Sequence, residues 1–129
     1  MKLKQGAFAL LLEGRTPAAT VELSGEDPAL RGEAEFYPTP LGVVLCAELT
    51  GLPTRRDGAV FDLSVGGEIT PIFAKAGTER AWCAAMTRHR TVADVLGETV
   101  SVLASPAGQC GNRTVRICRG TVEDPRLAL

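Results

Sequence analysis

Histidine occurs once in this 129-residue chain, at position 89, and aromatic residues make up only 5% of it. So few aromatic rings exclude a stacking platform for bases or sugars. Neither sign of charge dominates, with 14 basic against 15 acidic residues and a net charge of −1. That balance argues against a dedicated binder of nucleic acid or of acidic membrane, which needs a strong basic excess. No apolar run approaches a membrane span. The four cysteines, Cys46, Cys83, Cys110 and Cys118, form no C-x-x-C pair and lack the even spacing of a disulfide framework. In a reducing compartment they read as thiols, some of them buried as small apolar residues. A Cys110–Cys118 bridge across one loop stays open as an alternative.

What is present is enough apolar content, 45%, to build one core of single-domain size. Residues 1–17 form a lead-in. Its apolar run from Ala7 to Leu12 is too short for a secretory signal, and Glu13 and Arg15 interrupt it before Ala18 and Ala19. A cytoplasmic location is the resulting expectation. Residues 18–123 form the domain, and 124–129 a frayed tail.

Within the domain the period is two. Ala19-Thr20-Val21-Glu22-Leu23 alternates apolar and polar, the pattern of a half-buried strand. Gly32, Ala34 and Phe36 then alternate with Glu33, Glu35 and Tyr37, and Pro38 and Pro40 are expected to end that strand. The third strand sends Val43, Leu45, Ala47 and Leu49 to one face and Val44, Cys46, Glu48 and Thr50 to the other. In the fourth, Phe61, Leu63 and Val65 oppose Val60, Asp62, Ser64 and Gly66. Between Gly66 and Glu79 the pattern lapses, and Ile69–Ala76 reads equally as a short strand or an ordered loop. Arg80–Thr87, Thr99–Leu103 and Thr114–Val122 are further strands. Thr91-Val92-Ala93-Asp94 has the form of a helix start, with Gly97 stopping it after one turn. The total is seven or eight antiparallel strands and almost no helix, which predicts an all-β Greek-key sandwich.

The order of pieces resembles the copper/zinc superoxide dismutases, particularly short bacterial members. The resemblance is carried by Leu23-Ser24-Gly25, by Arg31 to Phe36, and by Gly42-Val43-Val44 running into Ala47 to Pro53. It resumes at Asp94 to Val100, then Pro106 to Gly111 and Arg116 to Gly120. It implies an eight-stranded Greek-key sandwich. It also implies where a metal site belongs. Relatives carry a His-x-His pair at the end of the fourth strand, and here Ser64 and Gly66 stand at those positions. The last copper histidine closes the seventh strand of relatives, where this chain has Leu103. Relatives then bear a long loop with the zinc ligands and half of a disulfide. Here Gly67–Glu79 stands in its place, without histidine, aspartate or cysteine. A cation that draws superoxide toward copper maps to either Arg113 or Arg116. The cysteine that precedes the last glycine is replaced by Arg119, with Cys118 one place earlier.

Copper held for redox cycling takes several imidazoles, and one histidine cannot supply them. The expectation is therefore a dismutase-like protein with no catalytic residues, no cofactor and no metal ligands, acting as a structural or interaction module. A homodimer through outward Val44, Val60 and Leu103, or a foreign protein partner, would suit such a module. Two other readings stand beside it: a metal-dependent oxidoreductase with a rebuilt site, and an accessory domain that recognises a true dismutase or a metal donor. His89, flanked by Arg88 and Arg90, reads as a surface side chain. Ser64 lacks a histidine base. Arg113, Arg116 and Arg119, spaced by three, are not expected to share one strand face.

Overall fold

The computed structural model describes residues 7–51, 60–74, 80–89, 91–105 and 115–123. Residues 54–58 and 106–113, which include Cys110 and Arg113, the side chain of Val60 and the tail 124–129 lie outside them.

Strands follow the period-two segments. They are β1 (Ala19–Ser24), β2 (Arg31–Thr39), β3 (Gly42–Thr50), β4 (Val60–Val65), β5 (Glu68–Pro71), β6 (Phe73–Ala74), β7 (Ala81–Met86), β8 (Thr99–Ser105) and β9 (Val115–Thr121). All pairings are antiparallel, in the order β5-β4-β8-β9-β1-β2-β3-β7-β6. The ninth strand, beyond the seven or eight expected, is the two-residue β6 on the edge of β7. Within the undecided stretch Ile69–Ala76, residues 69–74 comprise the end of β5 and β6, and residues 75 and 76 lie outside the described residues.

Two halves are evident. The first sheet is β1-β2-β3-β7-β6; the second is β5-β4-β8-β9. A single pair, Ser24 opposite Arg119, joins them through β1 and β9. At the other side β5 approaches β7, and the Arg88 backbone N–H donates to Glu68 Oε2 at 3.2 Å. The chain leaves the first sheet after β3, returns to it at β6 and β7, and leaves again for β8. These non-sequential neighbours, β3 with β7 and β4 with β8, are the Greek-key feature.

Side chains from both inner faces meet in one core. Val21, Ala34, Phe36, Leu45 and Leu49 of the first sheet pack with Phe61, Leu63, Val100 and Val102 of the second. Burial alternates along β1 as the sequence pattern requires. Between β7 and β8 lies the expected short helical turn, a 3₁₀ turn over Val92–Val95. The Thr91 backbone N–H donates to Asp94 Oδ2 at 3.2 Å, one half of a capping box.

Two expectations need correction. β2 does not stop at Pro38 but runs through it to Thr39, with Pro38 opposite Val43. The reason is the direction of its missing donor. Phe36 C=O accepts from the Ala18 N–H on the β1 side. Two residues later Pro38 faces the same side, where β1 has not yet begun, so no ladder bond is lost. Val44, expected to face outward, is fully buried. The segment 7–14 lies over the outer face of the first sheet, and Leu12 packs there with Tyr37, Val44 and Cys46.

Candidate functional site

The end of β4 and the middle of β8 form the place where the family resemblance puts a metal. In register, Asp62 stands opposite Leu103 and Ser64 opposite Ser101. With Leu63, Val100 and Val102 in the core, these four residues occupy the outer face of the second sheet. Ser64 and Leu103 are half-buried, and Ser101 is only 4% exposed. The structure therefore brings Ser64 and Leu103 onto one face, one row apart.

Gly66 belongs elsewhere. It lies beyond the end of β4, in the two-residue turn Gly66–Gly67 that links Val65 to its partner Glu68. Both glycines have positive φ, 55° and 92°, the pattern of a type I′ hairpin turn. A Cβ on Gly66 would come 2.7 Å from Glu98 Oε2. Any side chain at this position would meet both backbone strain and that carboxylate. The turn had a signal in the sequence, since Gly-Gly between apolar-alternating runs marks a tight hairpin.

Strand β9 supplies cations to the same face. Arg116 stands opposite Leu103 and Arg119 opposite Ser101, and both are exposed. Their spacing of three places them on opposite faces of a regular strand. A bulge at Val102/Leu103 absorbs the odd residue, Ile117, and rephases β9 so that both arginines face outward. The rows across the face are thus Asp62–Leu103–Arg116 and Ser64–Ser101–Arg119.

Next to Arg116 and Arg119 a cleft of about 720 Å³ opens between β9 and the β1–β2 turn. Its walls differ in charge. Arg116 and Arg119 line one side, and Glu26 and Asp27 the other, with Leu30 and Ile117 between. Asp27 is already engaged, because its Oδ1 accepts from the Ala29 backbone N–H at 2.9 Å.

The outer face of the first sheet has the opposite character. Glu22, Glu33 and Glu48 lie directly across from one another on three strands, an arrangement that sets like charges side by side. Trp82 of β7 continues that row, with Phe73 of the edge strand β6 opposite it.

His89 is half-buried rather than a surface side chain. Its loop folds back on β3: the Val43 N–H donates to His89 C=O at 3.2 Å, and the His89 N–H to Thr87 Oγ1 at 3.2 Å. Cys46, Cys83 and Cys118 are buried reduced thiols. Burial, with a smaller contribution from Cys46, pushes the Cys83 thiol up to about 12. Burial also raises Cys118, opposed by the Arg119 backbone and the charge of Arg31. Thiolates, the form that attacks or binds metal, are disfavoured at both. Among the described residues no group of three or more His, Cys, Asp or Glu is placed to hold a metal ion. No helix among them is long and apolar enough to cross a membrane. The chain matches no protein-family model and no curated protein.

Proposed function

We propose that this chain is a superoxide dismutase-like sandwich, of the short bacterial kind, that works as a non-catalytic interaction module. The observation that carries the reading is the division of β4 and its turn. Phe61, Leu63 and Val65 keep an apolar inner face buried in the core. The outer positions that bear copper histidines in the family hold Ser64, in the strand, and Gly66, in the tight turn just beyond it with φ of 55°. The Greek-key strand order supports the same kinship. Neither Ser64 nor Leu103 is a copper ligand by chemistry, since redox copper sites draw on imidazole, thiolate and thioether. Without a redox centre, a scaffold of this kind acts through its surfaces.

The test is elemental analysis of the full chain purified after growth with added copper and zinc, alongside a superoxide dismutation assay. The proposal expects both metals well below one per chain and no dismutation above the buffer rate. One copper per chain, or dismutation that a chelator abolishes, would overturn it and favour a rebuilt metal site.

A further inference from the structure

We infer that the cleft between β9 and the β1–β2 turn binds an extended peptide segment of a partner protein, one in which an acidic and a basic residue flank an apolar one. The inference rests on the interaction-module reading and names the surface and the chemistry of the partner.

The cleft is preformed. At its closed end Ser24 pairs with Arg119, and a Cβ on Gly25 would strike the carbonyl oxygen of Ile117 on β9. Only glycine lets the turn approach the strand this closely. On the other side of the turn, a Cβ on Gly51, just past the end of β3, would strike the Ala29 carbonyl oxygen. The turn is thus wedged between β9 and the end of β3. It is also braced from within, the Ala29 N–H donating to Asp27 Oδ1 at 2.9 Å and the Leu30 N–H to Asp27 C=O at 3.1 Å. A wall fixed in advance costs little further ordering when a ligand arrives.

The two walls are opposite in sign. The bulge in the β8–β9 pairing brings Arg116 and Arg119 to one wall, although their spacing of three would separate them on a regular strand. Arg31, opposite Ser24 on β2, adds a third cation beside the closed end. Among the described residues none of these three guanidinium groups makes a hydrogen bond or an ion pair. On the other wall Glu26 and Asp27 are exposed. Asp27 already shares an oxygen with the turn, which leaves Glu26 the freer carboxylate. The floor between is apolar, made by buried Leu30 and half-buried Ile117.

These walls discriminate among ligands. A simple anion would satisfy the arginines and be repelled by Glu26 and Asp27; a simple cation would meet the reverse. A dipolar segment satisfies both, its carboxylate meeting the guanidinium forks and its ammonium meeting Glu26. An extended chain has the matching shape. Residues i and i+2 lie on one side of it and i+1 on the other, so the charged pair stays at the rim while the apolar residue turns down onto Leu30 and Ile117. The volume of about 720 Å³ falls within the range of pockets that hold ligands of this size, roughly 300–1,000 Å³.

The experiment titrates the full chain by calorimetry at low salt with the acetylated, amidated pentapeptide Ala-Glu-Leu-Lys-Ala. Saturable binding of one peptide per chain is expected. Replacing the peptide's Glu or its Lys by Gln should each weaken binding roughly threefold to tenfold. Arg119→Gln and Glu26→Gln in the protein should do the same, and because both residues are exposed the urea midpoint should stay where it was. The effects should couple in pairs: Arg119→Gln matters little to the peptide without Glu, and Glu26→Gln little to the peptide without Lys. The inference is overturned by no binding at millimolar peptide, by equal affinity for the neutralised peptides, or by effects that do not couple. Tighter binding of Ala-Glu-Leu-Glu-Ala or of inorganic phosphate would also overturn it, marking a plain cationic patch. None of these results bears on metal content, so failure here is distinguishable from failure of the proposed function.

Discussion

The two outer faces of the sandwich have diverged while the two inner faces remain alike. Inside, both sheets present small and medium apolar side chains that interlock. Outside, the first sheet carries a ladder of three glutamates and an apolar groove covered by residues 7–14. The second sheet carries Ser64, Leu103 and two exposed arginines. The difference teaches that packing and surface chemistry are separable here. A period-two strand lets one set of alternate residues hold the fold while the other set changes.

Breaking the inner side of that comparison should produce the largest effect. Leu63→Ala empties a fully buried site and is expected to cost about 3 kcal/mol, read as a lower urea midpoint at unchanged slope. Val44→Ala tests whether the covered outer face behaves like core. Loss of two buried methyl groups predicts about 1.6 kcal/mol; a change near zero would show that residues 7–14 do not exclude water from this face.

A pH test follows from Cys83. In the folded chain its thiol is held up to about 12 from an ordinary value of 9.0. The unfolded chain releases that proton first, so the contribution is fully present below pH 9 and declines as pH rises through the window from 9 to 12. Within it stability falls as pH rises. Cys83→Ala should flatten the high-pH limb of stability measured by denaturant titration. The smallest effect is expected at Ser64→Ala, on the open outer face, where stability should change by less than about 0.5 kcal/mol. A loss above 1 kcal/mol would mean that Ser64 is a structural residue and not a tolerated surface position.

Much of this was legible in the sequence because the fold depends on alternation. The inner faces of β1, β3 and β4 could be named from period two alone. Three features were not legible, each for a physical reason. Pro38 reads as a strand end unless the side its nitrogen faces is known, and that depends on where β1 starts. The outward phase of Arg116 and Arg119 depends on Ile117 being absorbed by a bulge, which no local residue preference announces. Val44 reads as outward because residues 7–14 cover it from outside the sheet, a contact between parts of the chain distant in sequence. The Gly66–Gly67 turn was different: its signal was present as a glycine pair.

The single Ser24–Arg119 bridge has a consequence for biosynthesis. Strand β1 is synthesised before the other described strands, yet its outer partner is β9, the last of them. Strand β8 likewise waits for β9, and β4 waits for β8. The nascent chain can close the β1–β2–β3 meander early, but the second sheet has no stable arrangement until residue 121 has been synthesised and released from the exit tunnel. Until then the apolar inner face of the meander stands uncovered, an interval in which a chaperone has something to hold.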